Sequence, residues 1–292
     1  MITLRSLTSL CAAGALTLAL VACGGEDATE APEAPAEGEE TQDEEPDTPD
    51  VPELSAEDLA AGSDNVALVP SPVETQKALE SAGIETKLSG LIPEHTFDLE
   101  KADADHAALR TGVVLADALL TVKTAEQADL LSRLDAIRTG MTQLGGGSDI
   151  DATLRDMQER IKADAVSRDE LLKEFDELSG AVIPELEFNG NDRIVPLIEA
   201  GSWLEGSNLV ARAVGEAHKP GAADTLLKQP AVVDYFIKYV KTEGADKAPE
   251  AVTAKLEESL NTLKGLAAKE TELTEEDIAT VAKVTNEVLA LL

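Results

Sequence analysis

Apolar residues recur at alternating spacings of four and three along much of the chain. One such series is made of Leu130, Leu134, Ile137, Met141 and Leu144, and similar series follow at 150–161 and 171–182. This spacing places the apolar side chains on one face of an α-helix, whereas a half-buried strand would alternate every second residue. We therefore predict an all-α fold, a single multi-helix bundle or array with short connections between neighbouring helices.

Several short motifs predict where helices begin. In a capping box, a Ser or Thr side chain accepts a hydrogen bond from the main chain three residues later, and an acid or Gln there returns the bond. Ser71–Glu74, Thr124–Gln127 and Ser167–Glu170 fit this pattern, and Ser55 and Thr274 are weaker versions with Asp at the third position. After the glycines at 145–147, Ser148 or Asp149 is expected to cap the next helix, and Pro184 is expected to kink its own helix.

Two segments, 109–120 and 194–214, are apolar nearly all round and rich in Gly, Ala and Ser. A helix that is apolar on every face is buried, so these are predicted to be the central helices. Gly112, Gly201 and Trp203 are expected to be buried helix contacts. The small residues of the two segments should let their backbones approach closely. The segments share a faint pattern, in which Gly112 and Leu115 correspond to Gly201 and Leu204, and this pattern is consistent with a diverged repeat.

The first 22 residues read as a bacterial signal peptide. Arg5 precedes an apolar run at 7–22, which ends in the lipobox Leu20-Val21-Ala22-Cys23 and is short for a membrane span. A lipobox predicts diacylglycerol, and usually palmitate, on Cys23, and two or more acyl chains anchor a domain stably. The alternative is an ordinary cleaved signal with an incidental cysteine. Cys11 leaves with the signal, and Gly24 in place of Asp favours the periplasmic face of the outer membrane in a diderm host.

An acidic, proline-rich segment follows at 23–53. It holds thirteen acidic residues, no basic ones and five prolines. Such a composition cannot bury a core and predicts a disordered tether, which could extend on the order of 100 Å. The remaining residues, 54–292, are predicted to form one helical domain. With a net charge of −33, the chain is expected to repel nucleic acid and anionic headgroups.

Three stretches carry a family resemblance: Ser71-Pro72 and the helix after it, 108–117 (ALRTGVVLAD), and 192–206 (DRIVPLIEAGSWLEG). Together they resemble an uncharacterised family of helical bacterial lipoproteins, whose members carry an "SP" helix start, an "LNLGVYGADL"-like helix and a "GGWIEGLYLA"-like helix. The resemblance covers about residues 66 to 245, and Val114 stands where the family usually has an aromatic residue. It implies a helical lipoprotein without an established activity, so no catalytic residue is carried over.

Side chains with catalytic or metal-binding chemistry are sparse. Glu199 and Glu205, six residues apart, are the best candidate acid/base pair, although carboxylates on a helix are more often simply solvated. Asp103, Asp105, His106 and His95 could share a metal, but the polar start of a helix explains the first three better. The loops 147–151 and 189–192 lack the ligand spacing of an EF-hand. We assign no catalytic residue, no metal site and no cofactor.

The segment 228–241 gathers aromatic and basic residues that are scarce elsewhere. Tyr235, Lys238 and Tyr239 would form a partner-binding patch if they lie on the surface; otherwise the tyrosines flank the core of an ordinary helix. The sequence thus favours a non-enzymatic envelope protein that is held on the membrane by Cys23 and binds or scaffolds another envelope protein. The alternative is a small-ligand or metal-binding lipoprotein with its site between the two apolar helices.

Overall fold

The computed structural model describes residues 69–84, 88–92, 98–99, 101–242 and 250–292. The predicted signal peptide, Cys23, the tether, Ser55 and His95 lie outside these ranges. The described residues form ten α-helices and no β-strand, which confirms the all-α prediction. The helices are α1 (Pro72–Ser81), α2 (Ala104–Thr121), α3 (Gln127–Gln143), α4 (Ser148–Lys162), α5 (Arg168–Phe188), α6 (Val195–Glu216), α7 (Ala223–Leu227), α8 (Pro230–Thr242), α9 (Glu250–Ala267) and α10 (Glu275–Leu289).

Helices α2 and α6 form the centre of the domain and make its most extensive helix–helix contact. They correspond to the two segments that are apolar nearly all round, and most of their residues are buried. Helix α3 packs against α2 and α10 packs against α6, so each central helix is covered on a second side. Every residue of the three apolar stripes in α3, α4 and α5 is buried.

The predicted helix starts are partly confirmed. Ser71, Ser167 and Thr274 each form a complete capping box. Thr124 does not: its main chain and hydroxyl both bond back to Thr121, and α3 begins three residues later without a side-chain cap. Neither Ser148 nor Asp149 caps α4, because that helix already includes both residues and Gly147 takes the cap position. Pro184 lies inside α5, which runs without interruption from Arg168 to Phe188.

The cap of α10 is reinforced by an ion pair. Asp277 accepts hydrogen bonds from the main chain and hydroxyl of Thr274, both at 2.9 Å, and Lys269 Nζ lies 2.5 Å from its other oxygen. The hydrogen bond from Lys269 and those from Thr274 lower the pKa of Asp277 to about 2. These bonds need the ionised carboxylate, so they link the stability of α10 to pH.

We expect Asp277→Ala to destabilise the domain by about 1–2 kcal/mol at pH 7, since a helix cap and a partly buried ion pair are lost together. The contribution of Asp277 is present above the ordinary aspartate pKa near 4 and is lost as the pH falls towards 2. Urea unfolding between pH 7 and pH 2 should therefore show the two proteins converging at the acid end. Glu276→Ala, at an exposed position in the same turn, is the control. A difference as large at pH 2 as at pH 7 would contradict this explanation.

Candidate functional site

The two central helices touch backbone to backbone. A Cβ atom built on Gly112 of α2 would lie 2.0 Å from the carbonyl oxygen of Ile198, and one built on Gly201 of α6 would lie 2.0 Å from that of Leu109. Ile198 lies three residues before Gly201, and Leu109 lies three residues before Gly112. The two helices therefore contribute equivalent positions to the contact, which is nearly symmetric. No ligand could fit between the helices at this point.

Two polar contacts show that α2 and α6 run in the same direction. Arg193, just before α6, donates to Asp105 in the first turn of α2 with an N–O distance of 2.6 Å. Twelve residues further along both segments, Glu205 of α6 faces Asp117 of α2. A constant offset between contacting residues is what a parallel pair requires. The two carboxyl groups therefore meet inside the domain, about one turn beyond the glycine contact.

The Glu205–Asp117 pair is the most unusual feature of the described residues. Glu205 has 0% and Asp117 has 4% of its surface exposed. If both groups are ionised, no described group donates a hydrogen bond to either side-chain oxygen of Glu205, because a carboxylate can only accept. Burial of an ionised group without a hydrogen-bond donor is costly, so this arrangement favours a protonated form.

Burial is the main reason why the pKa of Glu205 lies well above its usual range. The charge of Asp117 and the hydrogen bond between the two side chains raise this pKa further, whereas Arg212 and Arg133 lower it. Arg133 approaches from α3 and donates to the Thr121 hydroxyl at 2.9 Å. That hydroxyl in turn donates to the main-chain carbonyl of Asp117 at 2.5 Å, so the arginine ends next to the pair rather than on Glu205.

An aromatic cluster lies where α8 meets α6. The rings of Trp203 and Phe236 are 5.1 Å apart, and those of Tyr235 and Phe236 are 5.0 Å apart. The Trp203 indole donates to Gln229 at 2.8 Å, and the Tyr235 hydroxyl donates to Glu199 at 3.3 Å. Trp203 is thus a buried helix contact, and it joins α6 to α8 and to Gln229 just before α8.

The predicted partner patch is only partly on the surface. Tyr239 is 7% exposed and belongs to the core, so it cannot offer its ring to a partner. Tyr235 is partly buried against the core, and of the three residues only Lys238 is exposed. The four-residue spacing does place the two tyrosines on neighbouring positions of α8, but this side of the helix turns towards the core.

The predicted acid/base pair is not brought together, because each of its members has a different partner. Glu199 accepts from Tyr235, and burial raises its pKa while that hydrogen bond lowers it. Glu205 instead faces Asp117. Six residues turn a helix by about 240°, which separates the two glutamates around α6. The true partner of Glu205 could have been suspected, since Asp117 and Glu205 are single acids within long uncharged stretches of the two most apolar helices.

The residues considered for metal binding serve the start of α2 and the surface of the bundle. Asp103 caps α2 by accepting from the main chains of Asp105 and His106, and it also pairs with the His106 ring at 2.7 Å. Asp151, from the loop at 147–151 that lacks the EF-hand spacing, pairs with Arg138 and Arg155. Among the described residues, no group of three or more His, Cys, Asp or Glu side chains is arranged to hold a metal.

The pair formed by Glu205 and Asp117 can hold and release a proton, but both residues are buried beside the contact between α2 and α6. Within the described part of the chain, no helix is both long enough and apolar enough to cross a membrane. Comparisons with protein-family models, with curated proteins and with solved structures find no match to this chain.

Proposed function

We propose that this protein is a lipid-anchored bacterial envelope protein that binds or scaffolds another envelope component and has no catalytic activity of its own. The observation that carries the proposal is the lipobox Leu20-Val21-Ala22-Cys23, followed directly by the acidic tether. Acyl chains on Cys23 would hold the chain on the membrane, and the tether would let the helical domain reach away from it. We also infer membership of the lipoprotein family that the sequence resembles.

The packing of the domain supports a role for its outer surface. The glycine contact between α2 and α6 leaves no space for a ligand where the alternative small-molecule site was expected. The buried carboxyl pair is closed to solvent, and acid/base chemistry on a substrate needs contact with that substrate. Binding would then depend on exposed helix faces, whose acidic character favours a partner with a basic surface.

Metabolic labelling with palmitate tests the anchor. We expect the wild-type chain, expressed in a diderm bacterium, to incorporate label and to lose its first 22 residues. Cys23→Ser should incorporate none and keep its leader, because the lipid-bearing sulfur is missing. Cys11→Ser is the matched control, since this cysteine lies in the leader and its loss should leave labelling unchanged. Equal labelling of all three proteins would overturn the lipid anchor at Cys23.

Cross-linking of intact envelopes tests whether the helical domain binds another envelope protein. The control is an unrelated domain fused to residues 1–53, which shares the anchor and the tether but not the helical domain. We expect the full chain to give a discrete adduct with one envelope protein, and the fusion to give none. Adducts no more abundant than those of the fusion would contradict a binding role for the helical domain.

A further inference from the structure

We propose that Glu205 and Asp117 share a single proton, and that loss of this proton weakens the contact between α2 and α6, so that the core of the domain responds to pH. The proposal does not depend on the lipid anchor. It rests on the geometry of two buried carboxyl groups that belong to the two central helices. One protonated carboxyl can donate to the other, which gives Glu205 the hydrogen bond that it otherwise lacks.

The glycine contact prevents the two carboxyl groups from moving apart. Gly112 lies five residues before Asp117, and Gly201 lies four residues before Glu205, which is about 6 to 8 Å along each helix. With the backbones in contact at both glycines, the helices cannot separate by the width of a hydration shell without breaking that contact. Two negative charges at this position would therefore push directly against the backbone contact at the two glycines.

The surrounding charges do not remove the need for a proton. Arg133 of α3 and Arg212 of α6 are the cations whose fields act on Glu205, but both are partly exposed and neither bonds to its carboxyl group. On α10, which covers the other side of α6, Asp277 and Glu287 pair with Lys269 and Lys255.

The two acidic residues of α1 also have partners of their own. Glu80 pairs with Lys123 at 2.8 Å, and Glu74 completes the cap at Ser71. A proton between the two carboxyl groups would give the Glu205 carboxyl group the hydrogen bond that no other described side chain supplies.

The direction of the pH effect follows from linkage. Glu205 ionises near pH 4.5 in the unfolded chain but at a higher pH in the folded one. Its contribution to stability is complete below the unfolded pKa and is lost as the pH rises towards the folded pKa. Over that interval the unfolding constant should increase by up to about tenfold per pH unit, which corresponds to one proton. Above the folded pKa the profile should level off.

Urea unfolding of the mature chain in non-ionic detergent, followed between pH 5 and pH 9, tests this inference. Glu205→Gln keeps the shape and can donate a hydrogen bond without a proton from solution. We expect it to flatten the pH profile and to lower the unfolding constant at pH 8 by about tenfold or more relative to wild type. Glu216→Gln, an exposed acid at the end of the same helix, should change neither. Parallel profiles for wild type and Glu205→Gln would overturn the proposal.

Infrared spectroscopy of the wild-type chain keeps the test decisive if Glu205→Gln does not fold. At pH 7 the spectrum should contain the carbonyl stretch of a protonated carboxylic acid. The Glu199→Gln variant should retain this band, which separates the fully buried Glu205 from Glu199, the half-buried glutamate of the same helix. Absence of the band at pH 7, or its loss in Glu199→Gln, would show that Glu205 is ionised and would refute the shared proton.

Discussion

Gly201→Ala is expected to destabilise the domain by about 3 kcal/mol or more, and Gly112→Ala by a similar amount. The new methyl group would lie 2.0 Å from a main-chain carbonyl oxygen in both variants, far inside van der Waals contact. A backbone atom cannot rotate away as a side chain can, so the two helices must separate along their whole contact. The better helix propensity of alanine returns only about 1 kcal/mol. Urea unfolding followed by circular dichroism measures the difference.

Gly206→Ala is the matched control for these two variants. Gly206 lies on α6 five residues after Gly201, and a Cβ atom there would meet nothing within 4 Å. We expect this change to stabilise the domain by about 0.5–1 kcal/mol, because it removes backbone entropy from the unfolded chain. The double variant at Gly112 and Gly201 should cost less than the sum of the single ones, since helices already forced apart accept the second methyl group. Mild and equal effects at all three glycines would contradict the close approach.

Local sequence patterns predict most of the helices but only some of their ends. The burial of the apolar stripe from Leu130 to Leu144 can be predicted from the geometry of one helix alone, and the stripe is buried as expected. Ser167 is followed by Glu170 at the third position and forms its box. Thr124 has Gln127 at the same distance, yet its hydroxyl turns back to the end of α2. The Thr124 side chain could either cap α3 or bond to the end of α2, and in the short link between these helices it bonds to the end of α2.

The candidate site depends on the register between helices, which a single sequence does not contain. Gly112 and Gly201 could be predicted as close contacts, because small residues on an all-apolar helix have few other uses. The meeting of Asp117 and Glu205 requires two further facts: that α2 and α6 are parallel, and that their contacting residues keep a constant offset. Three helices separate α2 from α6 in the chain, so no local spacing reports this offset. Spacing within one helix instead suggested Glu199 as the partner of Glu205.

Phe236→Ala is expected to destabilise the domain by about 3–5 kcal/mol, whereas Phe188→Ala should stay within about 0.5 kcal/mol of wild type. The two variants remove the same atoms from opposite environments. Phe236 is 0% exposed and joins α8 to α6 through its contact with Trp203, while Phe188, at the end of α5, is 91% exposed. Trp203 is the only tryptophan in the chain, so its fluorescence reports directly on this contact during urea unfolding.

The comparison of Phe236→Ala with Phe188→Ala shows whether the aromatic cluster is needed to keep α8 packed against the core. The ring of Phe236 contacts Tyr235 as well as Trp203, so the cavity left by alanine would loosen the hydrogen bond from Tyr235 to Glu199. In Phe236→Ala we therefore expect the native fluorescence of Trp203 to shift to longer wavelength even before unfolding, because water gains access to the indole. The contrary result would be an unchanged spectrum together with a loss of stability below about 1 kcal/mol. It would mean that other core residues, Val233 and Val240, hold α8 in place and that the aromatic cluster is dispensable.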